Sequence, residues 1–348
     1  MRHFPRISAL IVLLLCLSPQ SSFAQGVRDD LAVGVSISGI SSWSVEQARA
    51  AGFGYIRHTL EWKSIDQSRG RFPWERNEPN HLDNVVGAAR KGRLGLVLRL
   101  DGGPNSTGGS ANQASTEKIA AFYRAVAARA YPRLKAVEVL NEPNLPFEWG
   151  GDADPVGYVS FLRAAHDGIK SVTPDVLIIA GNLSPAPNGP GTMDDLEFLR
   201  AMYAAGARGS YDAIGIHNYG GNSEPELDPS ECEICFRRAE RYRRIMEENG
   251  DGDTPIWATE TGWLLGTNAD LGHFNWMKVS AEQQGDYLVR GLRYASANWP
   301  WLQGLMMFNL DHSAAPWHGP ETSMYWFSLL NPDYSPRYAY DAVQAALH

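Results

Sequence analysis

The sequence predicts an α/β fold of the (β/α)8 class, a TIM barrel, in a single domain over residues 25–348. Two observations lead there. Eight short β-branched or apolar runs alternate with eight longer amphipathic stretches along the whole chain after the leader. The residues that close those runs, among them Arg57, Asp101, Glu142, Gly181, Asn218, Glu260 and Asn309, return at intervals of about one βα unit.

The first expected strand is Leu31–Ser38, and the helix Val45–Gly52 follows it. Gly54–Thr59 leads into His81–Gly92, Leu94–Asp101 into Thr116–Tyr131, and Lys135–Leu140 into Pro155–Val172. The second half repeats the pattern: Val176–Gly181 with Met193–Gly206, Tyr211–His217 with Phe236–Asn249, Pro255–Glu260 with Ala281–Asn298, and Leu302–Asn309 with Arg337–Leu347. Ala, Leu and Arg at 3.6-residue spacing mark the helices. A doubly wound open sheet, the rival at fold level, would want a glycine-rich phosphate loop after an early strand, and the sequence has none.

The N-terminus reads as a secretory signal, residues 1–24, removed on export. Arg2 and Arg6 precede the apolar run Ile7–Leu17, and Ser22-Phe23-Ala24 offers small residues for cleavage. The run is about half the roughly 20 residues of a bilayer span, so no membrane span is expected. Cys16 follows Leu15, too large a neighbour for a lipoprotein site. Removal of the leader leaves 29 Lys and Arg against 39 Asp and Glu. That balance argues against nucleic acid as a partner and fits a neutral or cationic ligand. A monomer is expected. Cys232 and Cys235 read as a short disulfide stapling a loop in an oxidising compartment.

Function is read from the strand ends, because a barrel of this class does its chemistry where strands run into βα loops. Asn141 and Glu142 close the fourth run in Val137-Glu-Val-Leu-Asn-Glu-Pro-Asn144, and Glu260 closes the seventh in Ile256-Trp-Ala-Thr-Glu-Thr-Gly-Trp263. Three units apart in an eight-fold ring, the two carboxylates can face one another. Glycoside cleavage uses such a pair, with a protonated carboxyl for the leaving oxygen and an ionised one opposite. At roughly 5 Å and an effective dielectric of ~20, two such charges repel by about 3 kcal/mol, enough to separate their roles. The same four letters recur as Asn77-Glu-Pro-Asn80, but there they follow polar residues and enter a helix. Position at the end of an apolar strand singles out Glu142 over Glu78.

These motifs resemble clan A glycoside hydrolases, and within that clan Asn141-Glu-Pro-Asn144 with Thr259-Glu-Thr-Gly-Trp263 is most similar to family 39. The resemblance spans Val33 to the last helix. It implies Glu142 as acid/base, Glu260 as nucleophile and Asn141 as the donor to the sugar 2-hydroxyl. It implies that Arg57 keeps the nucleophile ionised, and that His217 and Tyr219 stand beside it. Arg57 could equally be a structural ion-pair partner, and His217 could satisfy a strand-end carbonyl. Of the aromatic residues in or near βα loops (Trp62, Phe147, Trp149, Trp263, Trp317, Trp326), Trp149 and Trp263 flank the catalytic motifs and are the first candidates for sugar platforms. Asp101 is expected to cap a turn. The eighth run has no Trp at its end, so either Trp317 or Trp326 fills that place or the subsite is built differently.

The function expected is therefore retaining hydrolysis of a β-linked oligo- or polysaccharide, with no cofactor and no metal. By analogy with compact members of the family, which lack the accessory sandwich of the xylosidases, endo action is expected. A metal-dependent barrel would want a His-x-His pair, and the nine histidines form none. A non-catalytic glycan-binding barrel of the cell surface is the alternative; such proteins lose a carboxylate, and both are present here.

Overall fold

A computed structural model describes residues 26–39, 42–65, 72, 74 and 81–348. The expected leader, residues 1–24, and the duplicate motif at 77–80 lie outside the described residues.

Eight parallel strands close the barrel: β1 (Ala32–Ser36), β2 (Tyr55–Glu61), β3 (Gly95–Asp101), β4 (Leu134–Val139), β5 (Leu177–Leu183), β6 (Ala213–His217), β7 (Ile256–Thr261) and β10 (Leu302–Met307). The two-residue strands β8 (Leu264–Leu265) and β9 (Lys278–Val279) pair with each other outside it. Every barrel strand falls where an apolar run was expected. The eighth ends at Met307 rather than Asn309, because the Asn309 amide donates to Phe327 O at 3.3 Å and leaves the ladder. The sixth starts at Ala213 rather than Tyr211. Before it, the Asp212 carboxylate accepts from the Ile178 amide and from Lys170.

Helix starts follow from capping chemistry. Asp154 accepts from the Val156 and Gly157 amides with Pro155 in the first turn, and Asp194 accepts from Leu196 and Glu197. Ser280 and Gln283 form a capping box ahead of Ala281–Asn298. Among the described residues no helix is long and apolar enough to cross a membrane.

Two apolar layers hold the barrel. One lies between strands and helices. The other fills the interior, where Val97, Ala136, Ile179, Ala213, Trp257 and Met306 pack together. Gly304 makes room for this layer, since a Cβ there would collide with the Trp257 ring. Cys232 and Cys235 are disulfide-bonded in the loop after β6, as expected.

Candidate active site

Above the apolar interior, the C-terminal ends of the strands carry a connected set of charges. A strand turns successive side chains to opposite faces, so every second residue points inward. Tyr55 is thus followed by Arg57, Val97 by Arg99 and Ala136 by Glu138 on the inner side.

Arg57 is buried and fully engaged. Its Nε and Nη2 donate to the two oxygens of Glu138 at 2.7 and 2.8 Å, and its Nη1 donates to Glu260 Oε1 at 2.9 Å. One side chain thus pairs with a structural carboxylate, Glu138, and with the strand-end carboxylate Glu260. Arg99 Nη1 reaches the same Glu260 oxygen at 3.3 Å and Asn141 Oδ1 at 2.9 Å, while its Nε lies 2.8 Å from Asp101. Asp101 is therefore an ion-pair partner rather than the turn cap expected. The second Glu260 oxygen accepts from the Tyr219 hydroxyl and lies 3.6 Å from His217 Nδ1.

Glu142 stands three residues beyond β4. The chain turns sharply there, with φ of 67° at Leu140 and 37° at Glu142, both in the left-handed region. The Glu142 amide is held by Asn182 O at 3.1 Å, and its Oε1 lies 2.6 Å from His217 Nδ1. His217 thus bonds a carboxylate, not a strand-end carbonyl. One oxygen of Glu142, a ring nitrogen of His217 and one oxygen of Glu260 all lie within 4.8 Å of one another. Among the described residues this is the one such group close enough to share a cation.

The two glutamates differ in surroundings. Burial by itself would raise the Glu260 pKa, but the charges of His217, Arg57 and Arg99 and the Tyr219 hydroxyl outweigh it and hold the carboxyl well below the usual range. Tyr219 moves the other way: burial and the Glu260 charge push it up, so its hydroxyl keeps the proton it donates. His217 is raised, because the charges of Glu260 and Glu142 overcome its burial. Neither arginine bonds Glu142; its side-chain partner is His217.

The two tryptophans chosen as sugar platforms are elsewhere. Trp149 is 3% exposed and packs edge-on against Tyr158 and Phe161. Trp263 is 1% exposed, leans on Phe236, and donates its indole N–H to Ser223 O at 2.8 Å. A platform needs a free ring face, and both faces here are spent on packing. Trp62 is likewise core, stacked on Phe122 at 4.4 Å. Exposed aromatics of the βα loops are instead Phe147 at 77%, Trp317 at 57% and Trp276 at 46%.

Four residues of the site were not singled out from the sequence: Arg99, Glu138, Glu148 and His312. Arg99 and Glu138 each interrupt an apolar strand with a charge, a signal visible in the sequence. Glu148 Oε1 accepts from Asn141 Nδ2 at 2.7 Å. His312 follows β10 and stacks on His318 with ring centroids 5.1 Å apart; burial lowers its pKa to about 3, so it is neutral above that.

No protein-family model matches the chain. It is 27% identical over 168 residues to the probable glucan 1,3-beta-glucosidase A of Aspergillus fumigatus, covering 43% of this chain and 39% of that protein. The Neosartorya fischeri counterpart is 28% identical over 163 residues. The chain thus spans about two fifths of the length of the curated relatives it matches. Among solved structures, a family 39 glycoside hydrolase from the gut symbiont Bacteroides cellulosilyticus WH2 superposes with a TM-score of 0.68 at 23% identity, over 92% of this chain and 64% of that one. An endo-beta-1,4-glucanase from Xanthomonas axonopodis pv. citri gives 0.63 at 13% identity, over 91% and 99%. A family 128 endo-beta-1,3-glucanase from Sorangium cellulosum gives 0.59 at 15% identity, over 90% and 98%. At these identities the likeness is one of fold, and the fold is that of the glycoside hydrolase barrels.

Proposed function

We propose that the protein is a retaining glycoside hydrolase that cleaves a β-linked oligo- or polysaccharide by double displacement, with Glu260 as nucleophile and Glu142 as acid/base. The observation that carries this reading is the approach of one oxygen of each carboxylate to within 4.8 Å, with both arginines bonded to Glu260 and neither to Glu142. Retaining enzymes hold their carboxyl groups about 5–5.5 Å apart, inverting ones roughly 6.5–9.5 Å.

In the first step Glu260 Oε2 or Oε1 attacks the anomeric carbon, and the bond to the leaving oxygen breaks as Glu142 protonates that oxygen. Arg57 and Arg99 keep the attacking carboxylate ionised and aligned. In the second step Glu142 takes a proton from water, the water oxygen bonds to the anomeric carbon, and Glu260 leaves as carboxylate. His217, bonded to Glu142, holds the acid/base in line across the cleft. Asn141 donates to the sugar hydroxyl beside the reacting carbon, where a hydrogen bond strengthens as charge develops. A cleft rich in carboxylates fits a neutral sugar chain.

We also infer that residues 1–24 are an export signal, that residues 25–348 form one catalytic domain, and that the protein works outside the cytoplasm as a monomer. The names of the curated relatives and of the glucanase neighbours favour β-glucans as the first substrates to assay.

Purified protein is to be assayed on a panel of β-linked polysaccharides with product-size analysis. Glu142→Gln is expected to lower turnover by roughly 10²–10⁴-fold and Glu260→Gln by on the order of 10⁴-fold or more, with glycan binding kept in both. Full activity in either variant would contradict the assignment.

A further inference from the structure

Asn141 is held from both sides. Its Oδ1 accepts from Arg99 Nη1 at 2.9 Å, and its Nδ2 donates to Glu148 Oε1 at 2.7 Å. An amide group has one acceptor end and one donor end with two N–H bonds. A flipped Asn141 would face its NH2 to a guanidinium and its oxygen to a carboxylate, so the two partners admit one orientation. In it, the second Nδ2 hydrogen is left for a ligand.

Glu148 is placed for this by packing. It sits in the short helix Pro146–Trp149, closed by Gly150 at φ 93°, where the Gly150 amide donates back to Pro146 O at 2.9 Å. Trp149 anchors that turn in the core between Tyr158 and Phe161, and Asn112 Nδ2 ties Gly150 O down at 2.9 Å. The buried Trp149 therefore acts on the cleft through its neighbour.

We propose that Glu148 is a positioning residue for the glycosidase reaction: its carboxylate fixes the Asn141 amide for donation to the hydroxyl next to the reacting carbon. The inference rests on the glycosidase reading given above. Glu148 also changes charge near neutrality. Burial and the neighbouring Asp101 carboxylate push it up to about 7, against the pull of Arg99. The groups that face it are Arg99 and Asp101 from β3 and Glu142 from the segment after β4. The loop that packs on its helix contributes Ser110 and Asn112, which carry no charge. An ionised Glu148 is the better acceptor, so the hold on Asn141 tightens as the pH rises through about 7.

The test uses 2,4-dinitrophenyl β-glucoside, β-xyloside, β-cellobioside and β-laminaribioside. The one that wild-type protein hydrolyses fastest is compared with its counterpart deoxygenated at C2 of the reacting ring. The ratio of kcat/KM between the two is expected to fall about tenfold in Glu148→Gln, as for loss of one charge-assisted hydrogen bond. The same substitution is expected to leave the ratio unchanged in an Asn141→Ala background. Between pH 6 and 8 the ratio is expected to rise in wild type and stay flat in Glu148→Gln. Glu148→Ala, checked by its melting curve, serves if the Gln variant misfolds. A Glu148→Gln ratio equal to wild type, or an equal loss with and without Asn141, would overturn the inference. A wild type inert toward all four parents and toward the panel of β-linked polysaccharides would instead contradict the glycosidase reading itself.

Discussion

The lower interior of the barrel is filled by Val97, Ala136, Trp257 and Met306, whereas nearer the C-terminal ends of the strands Arg57, Arg99, Glu138 and Glu260 stand in a bonded cluster. The lower level gains free energy by removing apolar surface from water. The upper level desolvates four charges and recovers that cost only through close pairing, so replacing such a set with apolar residues is often neutral or stabilising. The difference assigns the lower level to stability and the upper one to the electrostatic field on Glu260.

The sharpest way to break that division is to damage each level singly. Trp257→Ala is expected to cost about 3–5 kcal/mol of stability by opening a cavity, with kcat/KM per folded molecule within about threefold of wild type. Glu138→Ala is expected to cost a similar amount, roughly 3–5 kcal/mol, because it strips Arg57 of its bidentate partner, and to lower activity as well. Denaturant titration and steady-state kinetics on the same samples separate the two outcomes. Equal kinetic damage from both would erase the distinction.

Replacing the upper pair together sharpens it further. Arg57→Met with Glu138→Leu is expected to leave stability unchanged or raise it by about 1–4 kcal/mol. Activity is expected to drop roughly 10²–10³-fold, the usual loss when a preorganised charge partner is removed. A double variant that is both less stable and fully active would reverse the roles given to the two levels.

Smaller effects come from pH. Glu260 holds its proton less tightly folded than unfolded, so protonation favours the unfolded chain. Its contribution is complete above the unfolded value of about 4.3 and is lost as the pH falls through the lower folded value. Glu148 has the opposite sign. With its pKa pushed up to about 7, its ionisation lowers stability as the pH rises from about 4.3 to 7. Stability of Glu148→Gln is accordingly expected to be flatter than wild type over that window in denaturation measured at stepped pH. A steeper dependence would contradict the sign. Smallest of all, Trp263→Phe is expected to lower stability by about 1–3 kcal/mol and to leave glycan affinity unchanged in binding assays.

Much of this was legible in the sequence, and the gaps have physical causes. The strands announced themselves as apolar runs, and Glu142 and Glu260 as carboxylates ending two of them. Arg57 was legible as a polar residue closing the second run, and its place beside Glu260 was implied by the resemblance to family 39. Arg99 and Glu138 are charges inside apolar runs, but the partners of one strand residue lie on other strands, and period-2 alternation gives direction without distance. Trp149 and Trp263 show the converse failure. Adjacency to a catalytic motif does not decide which way a ring turns, and both turned inward to fill space between helices and barrel. Glu148 was hidden because its direction comes from one helical turn closed by Gly150 and anchored by Trp149, which is a tertiary arrangement.

The central claim is that two carboxylates within 4.8 Å of each other act as nucleophile and acid/base, and the stereochemistry of the first product tests it most directly. Proton NMR during hydrolysis of the preferred β-linked substrate is expected to show the β-anomer of the new reducing end first, with the α-anomer growing in only by mutarotation. Initial release of the α-anomer would mean inversion and would contradict the role given to Glu260.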